Sequence, residues 1–282
     1  SRRQRQMCIR DRFFTGFISK SAEPMICVLV FLIATTVVVA GGVKGGVERV
    51  STIMMPVLIV LLIGVSLFCI TRPGAMAGVA YYLKPSLKGF GPTTILAALG
   101  QLFYSMSLAM GIMITFGSYM PKKADLEKSV TQVEIFDTGV AFLAGLMIVP
   151  AVFVFSNGDS SMLAKGPSLM FVMLPKVFNS MAFSSVIAAV FFILVLLAAL
   201  TSSISLLETL VAVLMDKFHM KRGTACITMF IIALLLAVPS SLGFGAWSNI
   251  TILGFDFLDF FDFISNSAVS YTHLRAHETV LD

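Results

Sequence analysis

Charge is scarce in this chain. Asp, Glu, Lys and Arg together make up 12% of the 282 residues, about half the roughly 25% usual in a soluble domain. With 57% of residues apolar, a disordered chain and a soluble globular enzyme are both excluded. Histidine is as rare. Of three in all, His273 and His277 stand at the extreme C-terminus and His219 in a basic stretch, which leaves no histidine metal centre. HExxH, GxSxG, P-loop and dinucleotide patterns are missing, so no enzymatic activity is expected. Cysteine numbers four, with no CxxC. Cys8 lies in a basic tail, and Cys27, Cys69 and Cys226 lie inside apolar runs. They read as small buried hydrophobes rather than a disulfide framework or metal set. What the chain has instead is apolar length: a mean hydropathy of +0.95 marks an integral membrane protein.

The excess of positive charge is concentrated at the ends. Without residues 1–12 and 270–282, the net charge falls from +5 to +2. Both tails resemble translated sequencing-adaptor read-through. The alternative for the front one is a basic juxtamembrane segment that binds anionic lipid. Both are set aside as one sets aside a fusion scar, leaving 13–269 as the transmembrane region.

A membrane-spanning helix needs about 20 apolar residues. Residues 26–43, 52–71, 93–120, 138–157, 183–215 and 223–239 supply six such runs, and a seventh starts near residue 250. Lys44 and Arg49, then Lys122, Lys123 and Lys128, then Lys217, Lys221 and Arg222 crowd alternate short connections. By the positive-inside rule, 44–51, 121–132 and 216–222 face the cytoplasm. The first run then enters from outside, which suggests an odd number of helices upstream. The longer outer connections, 72–92 and 157–181, carry helical patterns of their own, suited to a lid or to a static surface hairpin. The glycines at 41, 42, 45 and 46 read as a flexible turn rather than a dimer face.

Four polar groupings inside or beside the apolar runs carry the chemistry. The third run holds Ser105, Ser107 and Gly111 at mid-depth. Such a cluster marks either a discontinuous helix, whose unwound backbone lines a cavity, or close helix packing. In the fifth run Ala198, Thr201 and Ser202 share one face at i, i+3 and i+4. Two hydroxyls beside a carbonyl suit a hard cation such as Na⁺, unless they merely bond back onto their own helix. Asp137 and Glu208 are carboxylates within or at the edge of apolar runs. A bare charge at mid-helix costs about 2.5–3.5 kcal/mol, so each calls for an interior partner or cavity, or an interfacial position. Asp256, Asp259 and Asp262 form a stripe among phenylalanines at the outer end of the seventh run, as a solvated face or with one acid serving as a gate.

Together these segments resemble the neurotransmitter:sodium symporter family, especially its bacterial members with the LeuT-type fold. The resemblance is carried by GQLFYSMSLAMGIMITFGSY, DTGVAFLAGLMIVPAVF, GPSLMFVMLPKVF, LLAALTSSISLLE and FDFLDFFDFISNS, in family order over 13–268. It implies an all-α, polytopic membrane fold, a partial inverted-repeat transporter corresponding to helices 4 to 9 and the start of 10. It also implies sodium-coupled symport of an amino acid or related amine across a bacterial inner membrane, with Na⁺ as coupling ion and chloride as a further candidate. By the same resemblance Ser105 is a sodium-ligand position, and the Ala198 carbonyl, Thr201 and Ser202 form the second sodium site. Tyr104, Ser105, Ser107, Met110 and Leu206 match the substrate pocket. Tyr119 and Asp216 match the cytoplasmic gate, and Asp262, or Asp259, the extracellular one. Asp137 falls near a position where the family has an Asn sodium ligand, close to its chloride site, and departs from that pattern. The family's first and third helices, which complete both sodium sites and the pocket, have no counterpart here, so the chain alone is expected to be inactive. The partners implied are the lipid bilayer and a small amino-acid-like substrate, and no nucleic acid. A channel or receptor-like protein is the alternative, but neither charged rings nor a repeated carbonyl filter is visible.

Overall fold

Long apolar runs form helices in this chain, and glycine or proline decides where they stop or bend. The computed structural model describes residues 16–84, 90–108, 110–156, 170–171, 175, 178 and 184–265. Both set-aside tails and most of the second outer connection lie outside the described residues. In chain order the helices are α1 (Ala22–Ala40), α2 (Arg49–Ile70), α3 (Ala75–Leu83), α4 (Pro92–Ser105), α5 (Ile112–Ser118), α6 (Leu126–Ser156), α7 (Ser184–Phe218), α8 (Arg222–Leu242) and α9 (Phe257–Asp262). Among the described residues five helical stretches are long and apolar enough to cross a membrane. The sixth expected run, 93–120, is the broken pair α4 and α5. The all-α polytopic fold expected from the sequence is therefore the one observed.

Two expectations need correction. The fourth run was placed at 138–157 by hydropathy, but its helix starts at Leu126. Asp125 caps it, accepting the Lys128 amide at 3.1 Å and the Ser129 hydroxyl on its own carbonyl at 2.8 Å. The added turns are exposed, and Glu127, Lys128, Gln132 and Glu134 interrupt their apolar residues, so hydropathy alone could not register them. Cys27 is exposed rather than buried; it shares the outward side of α1 with the exposed Ile26 and Val30. Cys69 and Cys226 are buried as expected.

The chain divides into two compact units. The first takes 51–87 and 134–201. Its core joins Leu62, Val65 and Cys69 of α2, Met147 and Ala151 of α6, and Phe191 and Leu194 of α7 to Phe178 of the outer connection. In lipid, apolar burial hardly favours one helix neighbour over another, so close approach and polar ties hold helices together. Ser66 supplies such a tie, donating to the Leu143 carbonyl at 2.9 Å. The short helix α3 docks on α6 through two glycines. Gly78 lies so close to α6 that a Cβ there would sit 2.7 Å from the Pro150 Cα, and Gly145 of α6 leaves the notch that Tyr82 fills. Tyr81 packs on Phe153 at 4.9 Å between ring centroids, and Tyr82 on Phe142 at 5.8 Å.

The second unit takes 16–50, 88–133 and 202–282. Here α8 packs along α1 and also meets α9. After α1 the glycine-rich segment turns through Gly42, at φ +84°, into a π-helical turn, Val43–Glu48. Gly46 is obligatory there, because a Cβ would collide with the Val38 carbonyl. The expected flexible turn is thus a tight junction that only glycine permits. At the other end of this unit Asp256 caps α9, accepting the Asp259 amide at 2.8 Å.

Candidate functional site

The third apolar run does not stay helical. α4 ends at Ser105, and α5 begins at Ile112 after a left-handed Gly111 at φ +72°. Ser107 is also left-handed, at φ +56°, a conformation that a non-glycine residue adopts only when its surroundings impose it. Of the two readings left open by the sequence, the discontinuous helix is the one observed. The Thr115 hydroxyl donates to the Gly111 carbonyl at 3.1 Å, tying the first turn of α5 to the break.

Within the second unit this break lies beside α7. A Cβ on Gly111 would stand 3.7 Å from the Thr209 methyl. Leu206 precedes Thr209 by one turn on α7, and Met110 precedes Gly111. Tyr104, Ser107 and Met110 are half-buried, whereas Ser105 is exposed at the end of α4. On α7, Ser202 and Leu206 are exposed one turn apart and share an open face with Leu210.

The hydroxyl patch on α7 starts in back-bonded form. Thr201, 5% exposed, donates to the Leu197 carbonyl at 3.1 Å and to the Ala198 carbonyl at 3.0 Å. Back-bonding occupies the single hydroxyl proton and leaves oxygen lone pairs, the only part of the group a cation uses. The two readings of this patch are therefore compatible. Among the described residues no cluster of three His, Cys, Asp or Glu could hold a metal. The hydroxyl and carbonyl oxygens of this patch are hard donors, a type that suits Na⁺ better than a soft transition metal.

The buried acid has the interior partners that its position demanded. Glu208 is 0% exposed. Tyr119, which closes the C-terminal end of α5, donates its hydroxyl to Glu208 Oε1 at 2.8 Å. Arg222, the first residue of α8, makes an ion pair with Glu208 Oε2. The same guanidinium donates through Nε and Nη2 to the Val39 carbonyl near the end of α1, at 2.9 and 2.7 Å. Four helices thus converge on one carboxylate. A cation in the first turn of a helix opposes the macrodipole, so Arg222 is held there by its acceptors and not by helix preference. One turn back along α1, Thr35 is 1% exposed and hydrogen-bonded at 3.0 Å to Ser203 of α7.

The remaining expected site residues are more dispersed. Asp137 is half-buried within α6, Asp216 is exposed in the last turn of α7, and Asp259 and Asp262 are exposed on α9. Of the two residues that match the cytoplasmic gate, Tyr119 donates its hydroxyl to Glu208, and Asp216 stands in the last turn of the same helix as that acid. In sequence Arg222 belongs to the basic connection 216–222. The signal for it was the buried acid itself, which required a cation near the same membrane face.

The chain is similar to known sodium-dependent transporters. A family model described as the Sodium:neurotransmitter symporter family matches residues 14–274. An uncharacterized sodium-dependent transporter of Haemophilus influenzae is 37% identical over 261 residues, which is 92% of this chain and 56% of that protein. The uncharacterized sodium-dependent transporter YhdH of Bacillus subtilis is 37% identical over 254 residues, 90% of this chain and 55% of that one. Among solved structures, MhsT in complex with L-phenylalanine superposes with a TM-score of 0.82 at 42% identity, covering 91% of this chain and 58% of that one. The chain thus spans little more than half the length of these relatives.

Proposed function

The chain belongs to the sodium:neurotransmitter symporter family, and from that premise we propose that it forms part of a sodium-coupled symporter for an amino acid or related amine. The observation that carries this reading is the break at 106–111 lying against α7 within a turn of Leu206. An interrupted membrane helix frees backbone groups at mid-depth, and these persist only where they line a cavity. Met110 and Leu206 give that cavity an apolar wall, and Tyr104 and Ser107 give it polar atoms. This composition suits an amino acid with an apolar side chain, in keeping with the L-phenylalanine held by MhsT.

In this reading Na⁺ is a co-substrate. The Ala198 carbonyl, Thr201 and Ser202 furnish oxygens for one ion, and Ser105 and Asp137 contribute to another, with chloride as a further candidate near Asp137. Residues 44–51, 121–132 and 216–222 face the cytoplasm of a bacterial inner membrane. The Glu208 cluster then stands on the cytoplasmic side of the substrate cavity, with Asp216 nearer the water. Asp262 or Asp259 stands at the outer entrance. Release to the cytoplasm requires α5 to part from α7, and the Tyr119–Glu208 hydrogen bond is the tie that must break. Arg222 keeps the carboxylate neutralised when that happens, so the buried charge is never left alone. The chain spans little more than half the length of the relatives it matches, so the activity proposed is that of the full-length protein.

The deciding experiment is uptake of radiolabelled apolar amino acids into vesicles containing the full-length protein, with and without an inward Na⁺ gradient. Gradient-dependent accumulation is expected. Uptake indifferent to the gradient overturns the coupling, and no uptake of any amino acid or amine overturns the substrate class.

A further inference from the structure

Near the hydroxyl patch, one residue of α1 makes a contact that lipid packing alone does not explain. α1 carries adjacent hydroxyls at Thr35 and Thr36. Thr36 is half-buried and donates to the Leu32 carbonyl at 2.7 Å. Thr35 is 1% exposed. It donates to the Phe31 carbonyl at 3.0 Å and stands 3.0 Å from the Ser203 hydroxyl of α7. A hydroxyl has one proton and two lone pairs. Either hydroxyl can donate in the bond between the helices, and in both directions it holds the Ser203 side chain toward α1.

We propose that Thr35 is a positioning residue for sodium binding: by fixing Ser203 it sets the rotation of α7 and so aims the oxygens of Ser202 and Thr201, the two residues before it. The inference rests on the proposed sodium role of that patch. Successive residues on a helix lie 100° apart, and side-chain oxygens sit about 5 Å from its axis. A rotation of about 20° therefore moves an oxygen by roughly 2 Å, comparable to a whole ligand bond. The lower level of the same face is already secured. Val39, four residues after Thr35, gives its carbonyl to Arg222, which holds Glu208, five residues after Ser203. α1 is thus tied to α7 at two levels one turn apart, through Arg222 of α8 at Glu208 and directly at Ser203. The direct tie lies beside the patch.

The test uses the full-length protein and compares Thr35→Val, Thr35→Ser and Ser203→Ala, with Thr201→Ala as the control for the site. Two quantities are read: half-saturating Na⁺ for ²²Na⁺ binding in a scintillation-proximity assay, and the melting temperature in detergent. Thr35→Val should raise half-saturating Na⁺ by about threefold to tenfold while the melting temperature stays within about 3 °C of the parent. Thr35→Ser, which keeps the oxygen, should bind Na⁺ like the parent. Ser203→Ala should reproduce Thr35→Val, and the double variant should add nothing. This second route keeps the test informative if Thr35→Val folds poorly. If Thr201→Ala weakens Na⁺ binding while Thr35→Val and Ser203→Ala leave it unchanged, Thr35 is only packing and the proposal is overturned. If Thr201→Ala also leaves it unchanged, the sodium-site reading has failed and the proposal falls with it.

Discussion

Replacing Arg222 with Met tests whether the buried carboxylate anchors its four helices. The change removes the cation from Glu208, which is 0% exposed, and removes both donors from the Val39 carbonyl. Tyr119 remains, but a hydroxyl donor does not neutralise a charge. Breaking one partner out of a buried pair costs about 3–5 kcal/mol, chiefly because the other charge is stranded. At roughly 2 °C per kcal/mol for a large chain, the melting temperature of the full-length protein in detergent should fall by about 6–10 °C. Tyr119→Phe removes one hydrogen bond to a charged acceptor, worth about 1.5–3 kcal/mol, and should cost roughly half as much. The informative variant is the double one. Glu208→Gln combined with Arg222→Met leaves no charge to strand, so it should melt above Arg222→Met alone despite carrying one more substitution. A fluorescence or light-scattering melt of purified protein measures all three. If Arg222→Met melts within about 2 °C of the parent, or the double variant melts no higher than the single, the carboxylate is not held as argued.

Three further outcomes follow from the site and the turns. Replacing Thr201 and Ser202 together with Ala should raise the Na⁺ requirement for substrate binding more than tenfold, since two lost oxygen ligands exceed about 1.4 kcal/mol; an unchanged Na⁺ titration would refute the assignment. Gly111→Leu must hold a branched side chain at φ +72°, a strain of about 1–2 kcal/mol, and should abolish Na⁺-driven uptake at normal membrane expression. Gly46→Ala should destabilise the protein by about 2 kcal/mol or more, because its Cβ collides with the Val38 carbonyl. Gly64→Ala, with nothing within 4 Å of the added carbon, should be neutral or slightly stabilising; equal melting temperatures for the two would dismiss the close approach.

The spans were legible because run length is a direct consequence of bilayer thickness, and the break was legible because Ser107 and Gly111 concentrate small and polar residues at mid-depth. The start of α6 was not, since charged residues interrupt the apolar ones in its exposed first turns and hydropathy cannot distinguish such a mixture from a loop. The capping role of Asp125 was the available signal. Glu208 announced that it needed a partner without saying which. Arg222 stands only 14 residues away in sequence, yet its role depends on α8 folding back along α1. Thr35 was less legible still. A threonine in a membrane helix can satisfy itself on its own backbone, as Thr36 does, and the Ser203 partner lies 168 residues on.

The docking of α3 has a mechanical consequence. Each helix offers the other a notch and a peg: Gly78 admits Pro150 and Phe153, and Gly145 admits Tyr82. Two interlocks facing opposite ways resist both sliding and lifting, since either motion drives a side chain into backbone. α3 cannot swing freely as a hinged flap would. It travels with α6 as a single strut. A fluorophore attached at Met76, whose side chain is 66% exposed on α3, would report the displacement of a membrane-spanning helix from a position accessible to solvent.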